Sequence, residues 1–122
     1  MELKIEKAIN EFMIKFSRFY RSRDRNIWIE CAYFKVYVRK SHHRVGKKIY
    51  NFIDIANINV EEKYRCRGIC TSILQLLIEA YPQENIFIES VQNFRMDIVA
   101  KKFNFKKQKV CDLSYNLYRM AA

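Results

Sequence analysis

The sequence predicts an α/β chain of the α+β kind, with helices flanking a mixed sheet, and three observations predict it. An amphipathic helical stripe opens the chain, two long runs of β-branched and aromatic residues follow, and strand-like and helix-like segments then alternate. Successive strands joined by a short connection pair antiparallel, whereas a strand, helix, strand order lays two strands side by side in parallel. Both orders occur here, so the expected sheet is mixed.

From Leu3 to Tyr20 the apolar residues Ile5, Ile9, Phe12, Met13, Phe16, Phe19 and Tyr20 recur at three- and four-residue intervals. That spacing builds one apolar stripe on a helix, which must pack on something. Leu3 and Ile5 also alternate, which leaves a short initial strand open. After a turn rich in arginine, Ile27 to Val38 reads as one long strand and Ile49 to Val60 as a second. The polar segment Arg39 to Lys48, with Gly46, is then their basic connection, and it places His42 and His43 in an exposed loop. A helix follows Gly68, carried by Ile73, Leu74, Leu76, Leu77 and Ala80 and ended by Pro82. Ile86 to Val91 is a short strand, and Asn93 to Phe103 a helix with Met96, Val99, Ala100 and Phe103 on one face. Near alternation of Val110, Leu113, Tyr115 and Leu117 makes the tail a final antiparallel strand or hairpin.

With 122 residues, half of them hydrophobic, residues 1–122 are expected to form one domain with a real core. No apolar run approaches the roughly 20 residues that cross a bilayer, and Glu2, Lys4, Glu6 and Lys7 interrupt the N-terminus, so a cytoplasmic location without a membrane partner is expected. The four cysteines, Cys31, Cys66, Cys70 and Cys111, are expected as free thiols. Cys66 and Cys70 with His42 and His43 lack the usual zinc spacing, and no metal site is expected. The charge of +10, from 23 basic against 13 acidic residues, favours anionic partners without choosing among them. It gathers at Arg18 to Arg25, at Arg39 to Lys48 and at Lys101 to Lys109.

One stretch carries a more specific chemistry. From Asp54 to Cys70 the residues run from β composition through a charged middle to Gly68, one of only two glycines, immediately before the second helical pattern. Glycine there permits positive φ, and the first N–H groups of the helix have no internal partner, so the turn suits a phosphate. Arg65-Cys66-Arg67-Gly68-Ile69-Cys70 resembles the R/Q-x-x-G-x-G/A loop of the GNAT superfamily of N-acetyltransferases, with Cys70 standing where the family has Gly or Ala. Ile58-x-Val60 with Tyr64-Arg65 looks like the family's approach to that loop. Lys101-Lys102-Phe103-Asn104-Phe105 resembles its later Y-E-K-x-G-F segment, with Asn104 at the glycine. The likeness runs from about Ile27 to Met120, and the N-terminal part is shortened to one clear helix.

The resemblance implies a mostly antiparallel sheet with a central splayed strand pair, and direct transfer of an acetyl group from acetyl-CoA to an amine. It implies cofactor contacts at Ile58, Asn59 and Val60 along the strand, at Arg65, Cys66, Arg67, Gly68, Ile69, Cys70 and Thr71 around the pyrophosphate, and at Asn93. Asp54, eleven residues before Arg65 in the strand, is the first candidate base, and Glu89 in the neighbouring strand the second. Alternation puts Asp54 on the face of Ala56 and Ile58, and its flanking isoleucines desolvate it. A structural carboxylate paired with an arginine is the competing reading of Asp54. Ala100 occupies the position where the family often has a tyrosine that protonates the departing thiolate. The acceptor stays open, on an anionic protein or RNA among others, as does homodimerisation. The alternative function is a weak or inactive GNAT-like module that binds CoA, nucleic acid or protein.

Overall fold

The structure is a computed structural model that describes residues 2–91, 101–111 and 114–121. Helix α1 (Leu3–Arg21) leads into strands β1 (Asn26–Cys31), β2 (Phe34–Val45) and β3 (Lys48–Val60). A short 3-10 turn (Glu62–Tyr64), helix α2 (Ile69–Ala80) and strands β4 (Ile86–Val91), β5 (Lys106–Cys111) and β6 (Ser114–Arg119) follow. The six strands form one sheet in the order β1-β2-β3-β4-β6-β5, in which β3 and β4 pair in parallel and the other neighbours antiparallel. The mixed, mostly antiparallel sheet expected from the sequence is therefore present, and the tail is a hairpin.

Helices α1 and α2 lie against one face. Ile5, Ile9, Phe12, Phe16 and Phe19 of α1 and Ile69, Ile73, Leu74 and Leu77 of α2 share one buried cluster with Ile29, Val36, Val38, Ile53, Ile55, Ile86, Ile88 and Leu117 of the sheet. Each such large side chain contributes about 1.5–3 kcal/mol before entropy is counted, so the α1 stripe is a main support of the sheet. Lys101 and Lys102 are helical and Asn104 takes φ 61°, the left-handed backbone expected of it at the glycine position.

Two expectations about strand limits are corrected. The run Ile27 to Val38 is two strands folded back on each other, because Ala32 and Tyr33 turn between β1 and β2 and Tyr33 takes φ 75°. That turn is held from outside, by the Glu61 N–H donating to the Tyr33 carbonyl at 2.9 Å and by the Tyr33 ring lying 4.2 Å from that of Tyr64. The basic segment Arg39 to Lys48 is no long connection either. β2 runs on to Val45, and Gly46 and Lys47 make a two-residue turn with Val45 paired to Lys48, so His42 and His43 lie within a strand.

The centre of the sheet opens. β3 and β4 are paired only at Ile53–Ile86, Asp54–Phe87 and Ile55–Ile88, although β3 continues to Val60 and β4 to Val91. On the β2 side, register passes from Ile55–Val38 to Asn57–Tyr37, leaving Ala56 as a bulge. A bulge shifts alternation by one residue. Val38 faces Ile55 and Val36 faces Ile58 on the helix side, where Ile58 and Val60 pack on the core, whereas Asp54 faces Arg39 on the other side. The expectation that Asp54 and Ile58 share a face is thereby overturned.

Candidate active site

The last residues of β3, Ile58, Asn59 and Val60, lie beyond the paired part of β3 and β4 and deliver the chain to the glycine turn. Arg65, Cys66, Arg67 and Gly68 are all exposed, and two of them hold left-handed backbone: Cys66 at φ 62° and Gly68 at φ 81°, ψ 14°. Gly68 is the N-cap of α2, and its carbonyl accepts the first bond of the helix, from the Ser72 N–H at 2.9 Å. The amides of Ile69, Cys70 and Thr71 precede that bond, and no side-chain cap closes the helix end. Positive partial charge thus gathers at an exposed turn.

Side chains brace this turn. Arg65 Nε donates to the Val60 carbonyl at 3.1 Å, Arg67 pairs with Glu2, and Lys4 Nζ donates to the Tyr64 hydroxyl at 3.3 Å. The N-terminus of α1 is thereby strapped to the turn. Burial pushes the Cys70 thiol up, its own backbone N–H partly opposing the shift, and pushes Cys31 up to about 11. Both stay protonated at neutral pH, so neither is a ready nucleophile.

A second constellation lies on the opposite face of the sheet from α1 and α2. Arg39, Ser41 and His43 alternate along β2 and therefore point the same way, and Arg39 stands opposite Asp54 in the register. Asp54 is 0% exposed and accepts hydrogen bonds from Ser41 Oγ at 2.7 Å and Arg39 Nη2 at 3.3 Å, with His43 Nε2 2.9 Å from its Oδ1. The His43 ring stacks on Phe87 with centroids 3.6 Å apart and meets Phe52 edge-on at 5.3 Å. Arg39 reaches past Asp54 to Glu89, whose side chain is 35% exposed. That carboxylate raises the Arg39 pKa above its ordinary value, so the guanidinium stays charged. Arg39 Nε is buried with no hydrogen-bond partner among the described residues.

Ser41, His43 and Asp54 do not form a relay. Ser41 Oγ is 3.0 Å from the same Nε2 that touches Asp54, whereas a relay takes a proton at one ring nitrogen and orients the ring through the other. The cluster instead locks Asp54 from one end of the strand, through Ser41 and His43, while Arg39 joins it to Glu89 towards the opening of β3 from β4. Asp54 and Glu89 are thus brought together, one sealed and one accessible. The sequence reading puts Arg39 and His43 in an exposed basic connection and gives Ser41 no role, and the signal that finds all three is their alternate spacing once the segment is read as a strand. Asn93 and Ala100 lie outside the described residues. Among the described residues no group of three or more His, Cys, Asp or Glu could hold a metal ion, and no helix is long and apolar enough to cross a membrane.

No protein-family model matches the chain, and no curated protein matches its sequence. Solved structures do match. The chain is similar to a histone acetyltransferase HPA2 and related acetyltransferase from Corynebacterium glutamicum, at 8% identity and a TM-score of 0.60 over 100% of this chain and 79% of that one. It is similar to a GNAT-family acetyltransferase from Streptococcus agalactiae, at 17% identity and a TM-score of 0.56 over 98% and 87%. A third match, the AtaT toxin bound to acetyl-CoA and to the C-terminus of the antitoxin AtaR, has 12% identity and a TM-score of 0.47 over 70% of this chain. This chain spans only 57% of the length of that one.

Proposed function

We propose that this chain, whose fold is that of the GNAT acetyltransferases, is an acetyl-CoA-dependent N-acetyltransferase acting by direct transfer on an amine. The observation that carries the proposal is the continuity of the opened β3–β4 centre with the left-handed Gly68 turn and the uncapped start of α2. The amides of Ile69, Cys70 and Thr71, with Arg65 to Gly68 around them, would hold the pyrophosphate. Ile58, Asn59 and Val60 would line the pantetheine arm, and Asn93 would join them from outside the described residues. Acetyl-CoA supplies the activated thioester. The amine nitrogen bonds to the acetyl carbon as the carbon–sulfur bond breaks, and the two groups must be aligned for that attack.

The protons then decide the roles of the carboxylates. Asp54 is sealed, so it serves as a base only through another group, whereas Glu89 reaches solvent next to the opening. The proposal gives the ammonium proton to Glu89 and makes Asp54 the residue that positions it through Arg39. Solvent protonates the departing thiolate. The acceptor would ride on an anionic carrier, protein or RNA, given the charge of +10, with residues 1–122 acting as one domain in the cytoplasm.

One observation favours a second reading, a module that binds CoA without turnover: three side chains already engage Asp54. Thiol release with a panel of amines separates the two. Release that depends on both amine and acetyl-CoA, together with a mass gain of one acetyl group on the amine, supports the enzyme. Binding without release from any amine supports the module.

A further inference from the structure

The outer face of the sheet changes character along β2. Around Ser41 and His43 it is a polar cluster that closes over Asp54, but towards Lys35 it carries aromatic rings, Trp28 exposed and Tyr37 partly so. Trp28 of β1 stands directly opposite Tyr37 of β2, with ring centroids 5.1 Å apart. Lys35 Nζ lies 4.6 Å from the Trp28 ring centroid, and the Arg39 guanidinium 5.9 Å from that of Tyr37. Trp28 is 42% exposed, although its large apolar ring gains most by burial. β1 is also an edge strand, and beside it a cleft of about 460 Å³ is lined by Lys15, Arg18, Ile27 and Trp28 among others. Asp24 and Glu30 border the same cleft, and Lys15 is paired with Glu11 at 2.8 Å.

We infer that this β1–β2 face docks a single-stranded nucleic acid, with Trp28 and Tyr37 stacking on bases and with Lys35, and Arg18 across the β1 edge, meeting the phosphates. Three alternatives fit less well. A duplex hides the faces of its bases, so it leaves the rings unused. An acidic peptide would satisfy the cations but offers flat rings only where it carries aromatic residues. A second copy of this chain would bring another +10 against the first. A single strand supplies a flat ring and an anion together at every step. The inference rests on the anionic-carrier part of the proposed function, yet it concerns binding alone and stands or falls without turnover.

Trp28 is the only tryptophan in the chain, so its fluorescence reports this face alone. Titration with a short single-stranded oligouridylate or oligothymidylate at low salt is expected to quench it saturably, while heparin, a polyanion without bases, quenches it far less. Anisotropy of the labelled oligonucleotide should then show Trp28→Ala and Tyr37→Ala weakening binding by about five- to a hundredfold, the worth of one stacked base. Trp28→Phe, which keeps a ring, should stay within a few-fold of wild type. Lys35→Gln should reduce the slope of log affinity against log salt by about 0.7. No oligonucleotide binding at low salt, equal quenching by heparin or by an acidic peptide, or unchanged affinity in the folded Trp28→Ala and Tyr37→Ala variants would overturn the inference. Quenching by oligonucleotide in a protein that transfers no acetyl group would leave it standing and sink only the enzymatic reading.

Discussion

The turn at the head of α2 and the cluster around Asp54 are served by the same strand, β3, and are built in opposite ways. The turn is made of backbone: left-handed Gly68 and Cys66, exposed, with amides at a helix start that no side chain caps. The cluster is made of side chains, converging on a carboxylate that is wholly buried and already bonded. An exposed turn leading into a helix start without a side-chain cap gains by taking an anion. A sealed carboxylate with its acceptors filled gains by staying as it is, and communicates only through Arg39 and Glu89. Binding capacity and structural rigidity thus sit side by side without sharing atoms.

Substitutions that break one region should spare the other. The largest effect is expected at Glu89, where Glu89→Gln should lower turnover by about 10²- to 10⁴-fold, the usual worth of a general base, with acetyl-CoA affinity little changed. Steady-state kinetics against a responsive amine checks this, and a variant as active as wild type would remove Glu89 from the proton path. Next comes Asp54→Ala, which takes from Arg39 one of its two carboxylates and from Ser41 and His43 their shared acceptor. Leaving a buried charge wholly unpaired costs about 3–5 kcal/mol, and because Arg39 keeps Glu89 and is one-third exposed the expected loss is below that, read as a fall in the denaturant midpoint. The milder Asp54→Asn should lower turnover less than Glu89→Gln does, because Asp54 acts at one remove.

Smaller effects sharpen the contrast. Glu2→Gln releases Arg67 to the turn and should tighten acetyl-CoA binding at low salt, by less than about 1 kcal/mol since the pair is exposed, and calorimetric titration would detect it. The smallest is alkaline. Cys31 titrates at about 11 in the folded chain against 9.0 ordinarily, so the unfolded chain loses its proton first. The Cys31 contribution to stability is therefore full below pH 9.0 and fades as pH rises towards about 11. Cys31→Ser should flatten that part of the stability profile, measured by denaturant titration across the window.

The turn was legible because everything it needs is local: a glycine, its neighbours and the helical pattern that follows Ile69. Asn104 was legible for the same reason, as a residue that tolerates the backbone its segment requires. The turn at Ala32 and Tyr33 was not, since tyrosine gives no signal for positive φ and its supports come from Glu61 and Tyr64, about thirty residues away. Arg39 to Val45 reads as a connection because it is polar, yet its alternate residues Arg39, Ser41 and His43 are polar because they build the Asp54 cluster with strands β3 and β4. The bulge at Ala56 had no sequence mark either, yet it decides which face Asp54 occupies.

Melting of the wild type and of Gly68→Val, each with and without acetyl-CoA, tests the central claim that the turn is the binding device and the Asp54 cluster is not. At a hundredfold excess over its dissociation constant, acetyl-CoA should stabilise the wild type by about 2.7 kcal/mol. Gly68→Val should melt as a folded protein and show no shift, because a β-branched residue cannot readily hold φ 81°. Wild type that stays unshifted at millimolar acetyl-CoA, or a Gly68→Val variant stabilised as much as wild type, would contradict it.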